Sequence, residues 1–279
     1  MNICFLEELN IITPLGLVDE LRKLGHNVTN VADHNTDIIF NASVYKFLEV
    51  ARQKSVAEKA KVLNYCWDYY LWAHGGKHAN YDWKGYSEML KKSDAVIVPS
   101  SSQQRRLKEL LDIDSTVVHA GIDTYEHEIS DKRFVLDPVR DYPDDENCYW
   151  TRQACKELGI PIVHTEHGLS EEKFRDLVSS CTFMTCGYRE ASTGGLSLME
   201  GLWNGKPSLT SDSPYMGATD YLGKFGTYFK YDDYEDLKLK LRDMFDNPPK
   251  IDKEEARKHM QNYTFASMAK GIHDVCVKI

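Results

Sequence analysis

Residues 182–210, TFMTCGYREASTGGLSLMEGLWNGKPSLT, carry the reading that decides the fold. Thr182 to Cys186 is an apolar run of strand length, Gly194-Gly195 closes a polar loop, and Leu196 to Asn204 keeps a helical period up to a stop at Gly205. Pro207 to Thr210 then reads as another strand. Strand, helix and strand in that order make a βαβ unit, and the glycine pair lets backbone approach a ligand at its turn. The helix opens with free N–H groups and a dipole that favour an anion such as phosphate. Glu200 lies about one and a half turns into it, where a carboxylate can accept hydrogen bonds from a diol such as a ribose. On spacing alone, the same residues also suit a plain helix-entry turn followed by an exposed acid.

Working outward, the alternation recurs. Asn2 to Leu6 reads as a buried strand, Leu15 to Leu24 as a helix with Leu15, Val18, Leu21 and Leu24 on one face, Gly25 as its stop, and His26 to Val31 as a strand. Thr36 to Phe40 (strand), Val44 to Ala60 (helix), Lys61 to Trp67 (strand), Gly85 to Lys92 (helix), Asp94 to Val98 (strand) and Ser100 to Leu111 (helix) follow. Thr116 to Val118 is a strand ending in His119-Ala120-Gly121-Ile122-Asp123. Thr124 to Lys132 is polar, charged and without period, so the domain boundary is expected there. After it come Arg133 to Asp137 (strand), Asn147 to Leu158 (helix), Ile160 to His164 (strand) and Glu171 to Ser179 (helix). Beyond the opening stretch lie Tyr228-Phe229 (strand) and Tyr234 to Phe245 (helix). The expected architecture is α/β: two Rossmann-like βαβ domains, 1–126 and 127–279, facing across a cleft, with the last helix free to pack back on the first.

Composition narrows the function. The chain has 279 residues, 43 Asp and Glu against 34 Lys and Arg, and 42% hydrophobic content, which excludes disordered and fibrous classes. A net charge of −9 argues against a protein held on nucleic acid or anionic lipid by overall electrostatics, though not against a local basic patch. Seven cysteines, an odd number with no CxxC, fit neither a disulfide framework nor a zinc ribbon. The start MNICFLEELNIITP has no secretory pattern, and no run approaches the ~20 apolar residues of a membrane span. A soluble cytoplasmic protein, bacterial or from a phage-infected host and without an integral membrane segment, is expected.

Together with SDAVIVPS (93–100) and VVHAGID (117–123), the opening stretch resembles the GT-B glycosyltransferases of family 4 (glycosyl transferases group 1). The resemblance spans most of the chain and is weakest over 30–60. Gly195, Leu196, Met199, Glu200, Gly205 and Pro207 match that family's G-L…L-E…G-x-P. It implies transfer of a sugar from a nucleoside-diphosphate-sugar, a UDP-sugar, to a hydroxyl acceptor with retention of configuration. Glu200 would then hold the donor ribose, and the loop Ser192, Thr193, Gly194, Gly195 and Leu196 the diphosphate. The family's first acid falls on Ser192 counting back from Glu200 and on Glu190 counting forward from the strand. A two-residue insertion makes Glu190 the acid facing the transferred sugar. Arg140 matches the family's phosphate-binding Arg, whereas the position of its Lys falls near Glu146-Asn147 and that cation is missing. Lys206 stands beside the donor helix but is not assigned in its place. No cofactor or metal is implied: the resembled family is generally metal-independent, and His119, His164 and His167 lack zinc spacing.

On the acceptor side, Cys66-Trp67-Asp68 ends a strand, so Asp68 could orient the acceptor hydroxyl while Trp67, Tyr69 and His74 stack on a ring. Arg105 and Arg106, with Lys77, Lys84, Lys91 and Lys92, form a basic concentration suited to a phosphate-bearing acceptor. That acceptor would be a glycan, a glycolipid headgroup or DNA. The chain is also similar to small phage-encoded transferases that decorate hydroxymethylated bases in DNA. The loop Glu8 to Gly16 takes the place of the family's Gly-rich first loop with only Gly16. A nucleotide-sugar epimerase, a phosphorylase, or a degenerate nucleotide-binding protein remain open alternatives.

Overall fold

The computed structural model describes residues 1–6, 14–43, 46–66, 82–138, 146–165, 169–186 and 195–279, with all side chains except those of 14, 15, 47 and 146–149. The chain divides into two compact units, Met1–Gly121 with Tyr263–Ile279, and Ile122–Asn262.

The first unit is built on a parallel sheet of β1 (Asn2–Leu6), β2 (Asn27–Thr29), β3 (Ile38–Asn41), β4 (Lys61–Tyr65), β5 (Ala95–Val98) and β6 (Thr116–Val117), in the order β2-β1-β3-β4-β5-β6. Its helices are α1 (Pro14–Lys23), α2 (Phe47–Val56), α3 (Trp83–Lys92) and α4 (Ser101–Leu111). Strands covered by helices on both faces carry apolar residues at every position, and the period of two sends them to opposite cores. Ile3 and Phe5 pack with Leu17 and Leu21 of α1, while Cys4 and Leu6 pack with Val50 and Ala57 on the α2 side. The buried face of α1 thus runs through Leu17 and Leu21, and Leu24, expected on it, is 45% exposed just past the helix end.

The second unit is a parallel sheet of β7 (Val135–Asp137), β8 (Ile162–His164), β9 (Phe183–Cys186), β10 (Ser208–Ser211) and β11 (Gly226–Phe229), in the order β11-β10-β9-β7-β8. With it go α5 (Glu146–Leu158), α6 (Glu171–Ser180), α7 (Leu196–Trp203), the short α8 (Ala218–Leu222), α9 (Tyr234–Asp246) and α10 (Lys253–Met260). The chain runs outward from β7 to β8, then crosses back to place β9 on the other side of β7. Strand order therefore reverses between β7 and β9, and open α/β sheets bind ligands at the carboxyl ends flanking such a reversal. Those ends are Asp137 and Cys186.

A last helix, α11 (Phe265–Cys276), belongs to the first unit, where Met268, Ala269 and Ile272 join the core of Ile3 and Phe5. Burying Met268 and Ile272 contributes about 1.5–3 kcal/mol each. The described cysteines Cys4, Cys66, Cys155, Cys181, Cys186 and Cys276 are all free and buried. Among the described residues no helix is long and apolar enough to cross a membrane.

Candidate active site in the second unit

The carboxyl end of β9 leads to α7, which opens at Gly195 with φ of +130°. An L side chain rarely adopts that conformation, so the backbone calls for glycine, and a Cβ there would also lie a tight 3.0 Å from the Cβ of Ala218. Leu198, Met199, Gly201 and Leu202 bury one face of α7. Gly201 brings the helix onto the sheet: a Cβ at this position would collide with the Sδ of Met184 on β9. Glu200 and Trp203 are left on the other side, one turn apart and half-buried.

Glu200 looks onto the segment that follows Gly121, which forms no helix or strand over 123–132. Residues 122–132 are tied down along their length. Trp203 Nε1 donates to the Tyr125 carbonyl at 3.0 Å, Ser130 N to Ser179 O at 3.1 Å, and Lys132 N to Ser180 O at 2.9 Å. Arg257 of α10 sits 5.3 Å above the Trp203 ring and donates to Glu126 at 2.6 Å. Arg175 of α6 lies 4.2 Å over the Tyr125 ring, donates to Asp123 Oδ2 at 3.0 Å and pairs with Glu171. Burial pushes the Glu200 carboxyl up to about 8; Arg175 opposes the rise, while Asp123 and Glu171 add to it. Its carboxylate accepts no hydrogen bond from the described residues. Beside it, an open depression of about 490 Å³ is lined by Glu126, His127, Ser170, Glu171, Glu172 and Arg175.

At the ends of β7 and β8, Asp137 is 1% exposed; its Oδ2 is 3.1 Å from His164 Nδ1 and 3.7 Å from Arg152 Nε. His164 thus has a carboxylate partner that sequence spacing did not reveal. His119 bonds the Pro99 carbonyl at 3.0 Å and meets the Tyr263 ring edge-on. Lys206 is 4% exposed, and its Nζ donates to the carbonyls of Ser130 and Cys181 at 2.9 and 2.8 Å. That amine serves the fold rather than a ligand.

Of the expected site residues, Gly195, Leu196 and Glu200 come together at the start of α7. Arg105 and Arg106 lie on α4 in the first unit, the former exposed, the latter 3.8 Å from Glu109. Trp67, Asp68, Tyr69, His74, Arg140, Glu190, Ser192, Thr193 and Gly194 lie outside the described residues, as do Lys77 and His167. Tyr125, Asp123 and Arg175 were not singled out from the sequence. The only local hint at them is the strand-end HAGID that precedes Tyr125.

Neither a family model nor a curated protein matches the sequence. Solved structures do match. HepE from Anabaena in complex with UDP-glucose superposes with a TM-score of 0.76 at 11% identity, over 100% of both chains. Sucrose-phosphate synthase from Thermosynechococcus elongatus gives 0.66 at 12%, over 87% of this chain and 73% of its own. The apo lipopolysaccharide outer core galactosyltransferase WaaB gives 0.64 at 14%, over 95% and 80%. The chain, with its two parallel sheets flanked by helices, therefore has the α/β GT-B fold of these glycosyltransferases.

Proposed function

We propose that the chain is a glycosyltransferase that moves a sugar from a UDP-sugar to a hydroxyl of a phosphate-bearing glycan or glycolipid, with retention of configuration. The observation that carries this reading is Glu200: a half-buried carboxyl, without a hydrogen bond from the described residues, on a helix that opens after β9. A carboxylate there accepts from both hydroxyls of a ribose, and the free N–H groups of the first turn of α7 face the diphosphate. HepE, similar over its whole length, has been solved with UDP-glucose, which favours that donor.

The chemistry is mainly positioning. The donor is held by Glu200, by the amides at Gly195 and Leu196, and by Arg140, with Ser192, Thr193 and Gly194 lining the loop. Glu190 faces the transferred sugar, and Asp68 orients the acceptor between Trp67, Tyr69 and His74. The acceptor attacks the face that the diphosphate leaves, and the departing phosphate oxygen takes the acceptor proton. The barrier falls through alignment and stabilisation of the leaving group. Helix dipole and Arg140 take the place of a metal at the diphosphate, so turnover should be insensitive to EDTA. Arg105 and Arg106 support an acceptor carrying phosphate, and six buried thiols suit a reducing cytoplasm.

The test is a thermal-shift screen of UDP and UDP-sugars on the wild type and E200A. UDP and one UDP-sugar should raise the unfolding temperature, and E200A should lose most of that shift. Mass spectrometry with the winning donor then compares oligosaccharide, glycolipid and 5-hydroxymethylated DNA as acceptors. An equal shift in E200A refutes the assignment. Interconversion of the donor without any acceptor would make the chain an epimerase instead.

A further inference from the structure

Two hydrogen-bond donors beside Glu200 are left unused by the described residues. The Tyr125 hydroxyl and the Arg175 Nε are both covered from solvent and have no hydrogen-bond partner among them. Leaving such a group unpaired costs about 1–3 kcal/mol. Arg175 is nevertheless firmly held: Asp123 Oδ2 binds its Nη2 at 3.0 Å, Glu171 adds a second ion pair, and the Tyr125 ring lies 4.2 Å beneath its guanidinium. Tyr125 is in turn anchored to α7, because its carbonyl accepts from Trp203 one turn beyond Glu200.

We propose that Arg175, presented by Tyr125 and Asp123, is the positioning residue that biases the Glu200 carboxyl toward its ionised form and orients it for the ribose diol of the donor. This rests on the function proposed above and adds to it three residues from outside the motif that suggested it. A diol donates two hydrogen bonds, so it needs the ionised carboxylate; a protonated carboxyl would present its own donor to one hydroxyl. Burial alone disfavours ionisation. A guanidinium fixed on an aromatic face, partly out of water, exerts a stronger field on its neighbour than a mobile surface arginine does. The charged and titratable groups around Glu200 are Arg175 and Glu171 from α6 and Asp123 and Tyr125 from the segment after Gly121. Farther out, His127 lies 3.2 Å from Asp176 and Arg257 is paired with Glu126. Arg175 is the cation among the groups that act directly on Glu200 and lowers its protonation.

The experiment measures UDP affinity by calorimetry from pH 6 to 9.5 for the wild type, E200Q, R175M, R175K and D123N. Wild-type affinity should rise with pH through a midpoint near 8, the point to which burial pushes Glu200. R175M should move the midpoint up and weaken UDP ~3–10-fold at neutral pH, one pH unit being tenfold. D123N should move it down, R175K should recover most of the wild-type midpoint, and E200Q should bind weakly with no pH dependence. A second readout needs no nucleotide: the pH-dependent difference in unfolding stability between wild type and E200Q traces the titration of Glu200. A Glu200 midpoint that stays in place in R175M overturns the inference, whatever UDP does. Should R175M fail to fold, an unmoved midpoint in D123N overturns it equally. UDP affinity unchanged in E200Q overturns the proposed function instead, and the stability curve still reports what Arg175 does to Glu200.

Discussion

Lys206 and Glu200 are neighbours of the same helix and meet opposite ends. Lys206 commits its charge to the fold, since burial holds its amine below the usual lysine range and two backbone carbonyls accept its hydrogen bonds. Replacing it by Met should leave the carbonyls of Ser130 and Cys181 unpaired and cost about 2–3 kcal/mol, read as a lower midpoint of urea unfolding. Full stability in K206M would mean that these contacts are not kept in solution. The contrast explains which site residues were legible. Gly195, Leu196 and Glu200 are local: the turn, the helix opening and the acid sit within a few positions of each other, so spacing alone brings them together. Lys206 is equally local, but a side chain's destination is not, and the same string fits an exposed phosphate ligand and a buried tie. Arg175 and Tyr125 join Glu200 only through tertiary packing of α6 and of the segment after Gly121 on α7. No periodicity marks such a meeting.

At the scale of elements, strand and helix alternation was readable because the inner strands are covered on both faces and therefore rich in apolar residues, as Ile38 to Phe40 and Phe183-Met184 are. What was not readable lacked a period. α8 is too short to show one, and residues 122–132 are ordered by backbone bonds and by Arg175, Trp203 and Arg257 rather than by an apolar face. α11 docks through a periodic apolar face of Met268, Ala269, Ile272 and Val275, but the seat of its start is set by a close backbone approach. Gly121 lies against its start, and a Cβ there would stand 2.6 Å from Phe265 N and 2.7 Å from Phe265 Cα, both backbone atoms that cannot rotate aside. G121A should therefore push α11 off its seat at a cost of about 2–4 kcal/mol, more than ordinary overpacking against a side chain. Hydrogen exchange should show it as faster exchange in 265–276, with α7 unaffected. Protection of α11 equal to wild type would show that the helix start can shift without loss.

Across the whole molecule, the two units respond to pH with opposite signs. In the first, His26 is 6% exposed, and its Nε2 meets His273 Nδ1 of α11 at 3.0 Å. Burial lowers its pKa from the usual 6.5, and the N-terminal amine and His273 lower it further. The unfolded chain then binds a proton more readily than the folded one. Stability is complete above about 6.5 and declines as pH falls below it, because protonation favours the open chain. In the second unit, Glu200 moves from the usual 4.5 up to about 8, so the folded state binds the extra proton. Its stability is greatest below 4.5 as far as this group is concerned, and is lost as pH rises from there through 8. Hydrogen exchange followed separately in α11 and in α7 should resolve the two limbs. H26Q should flatten the decline of the first unit on going from pH 7.5 to 5.5 and leave the alkaline limb alone. E200Q should flatten the alkaline decline of the second unit and stabilise it at pH 8.5, at the expense of UDP binding. Since His26 and Glu200 lie in different units, each variant should act on one limb only. An acid limb unchanged in H26Q would remove His26 as its source, and a fold no firmer at pH 8.5 in E200Q would mean that Glu200 ionises there without cost.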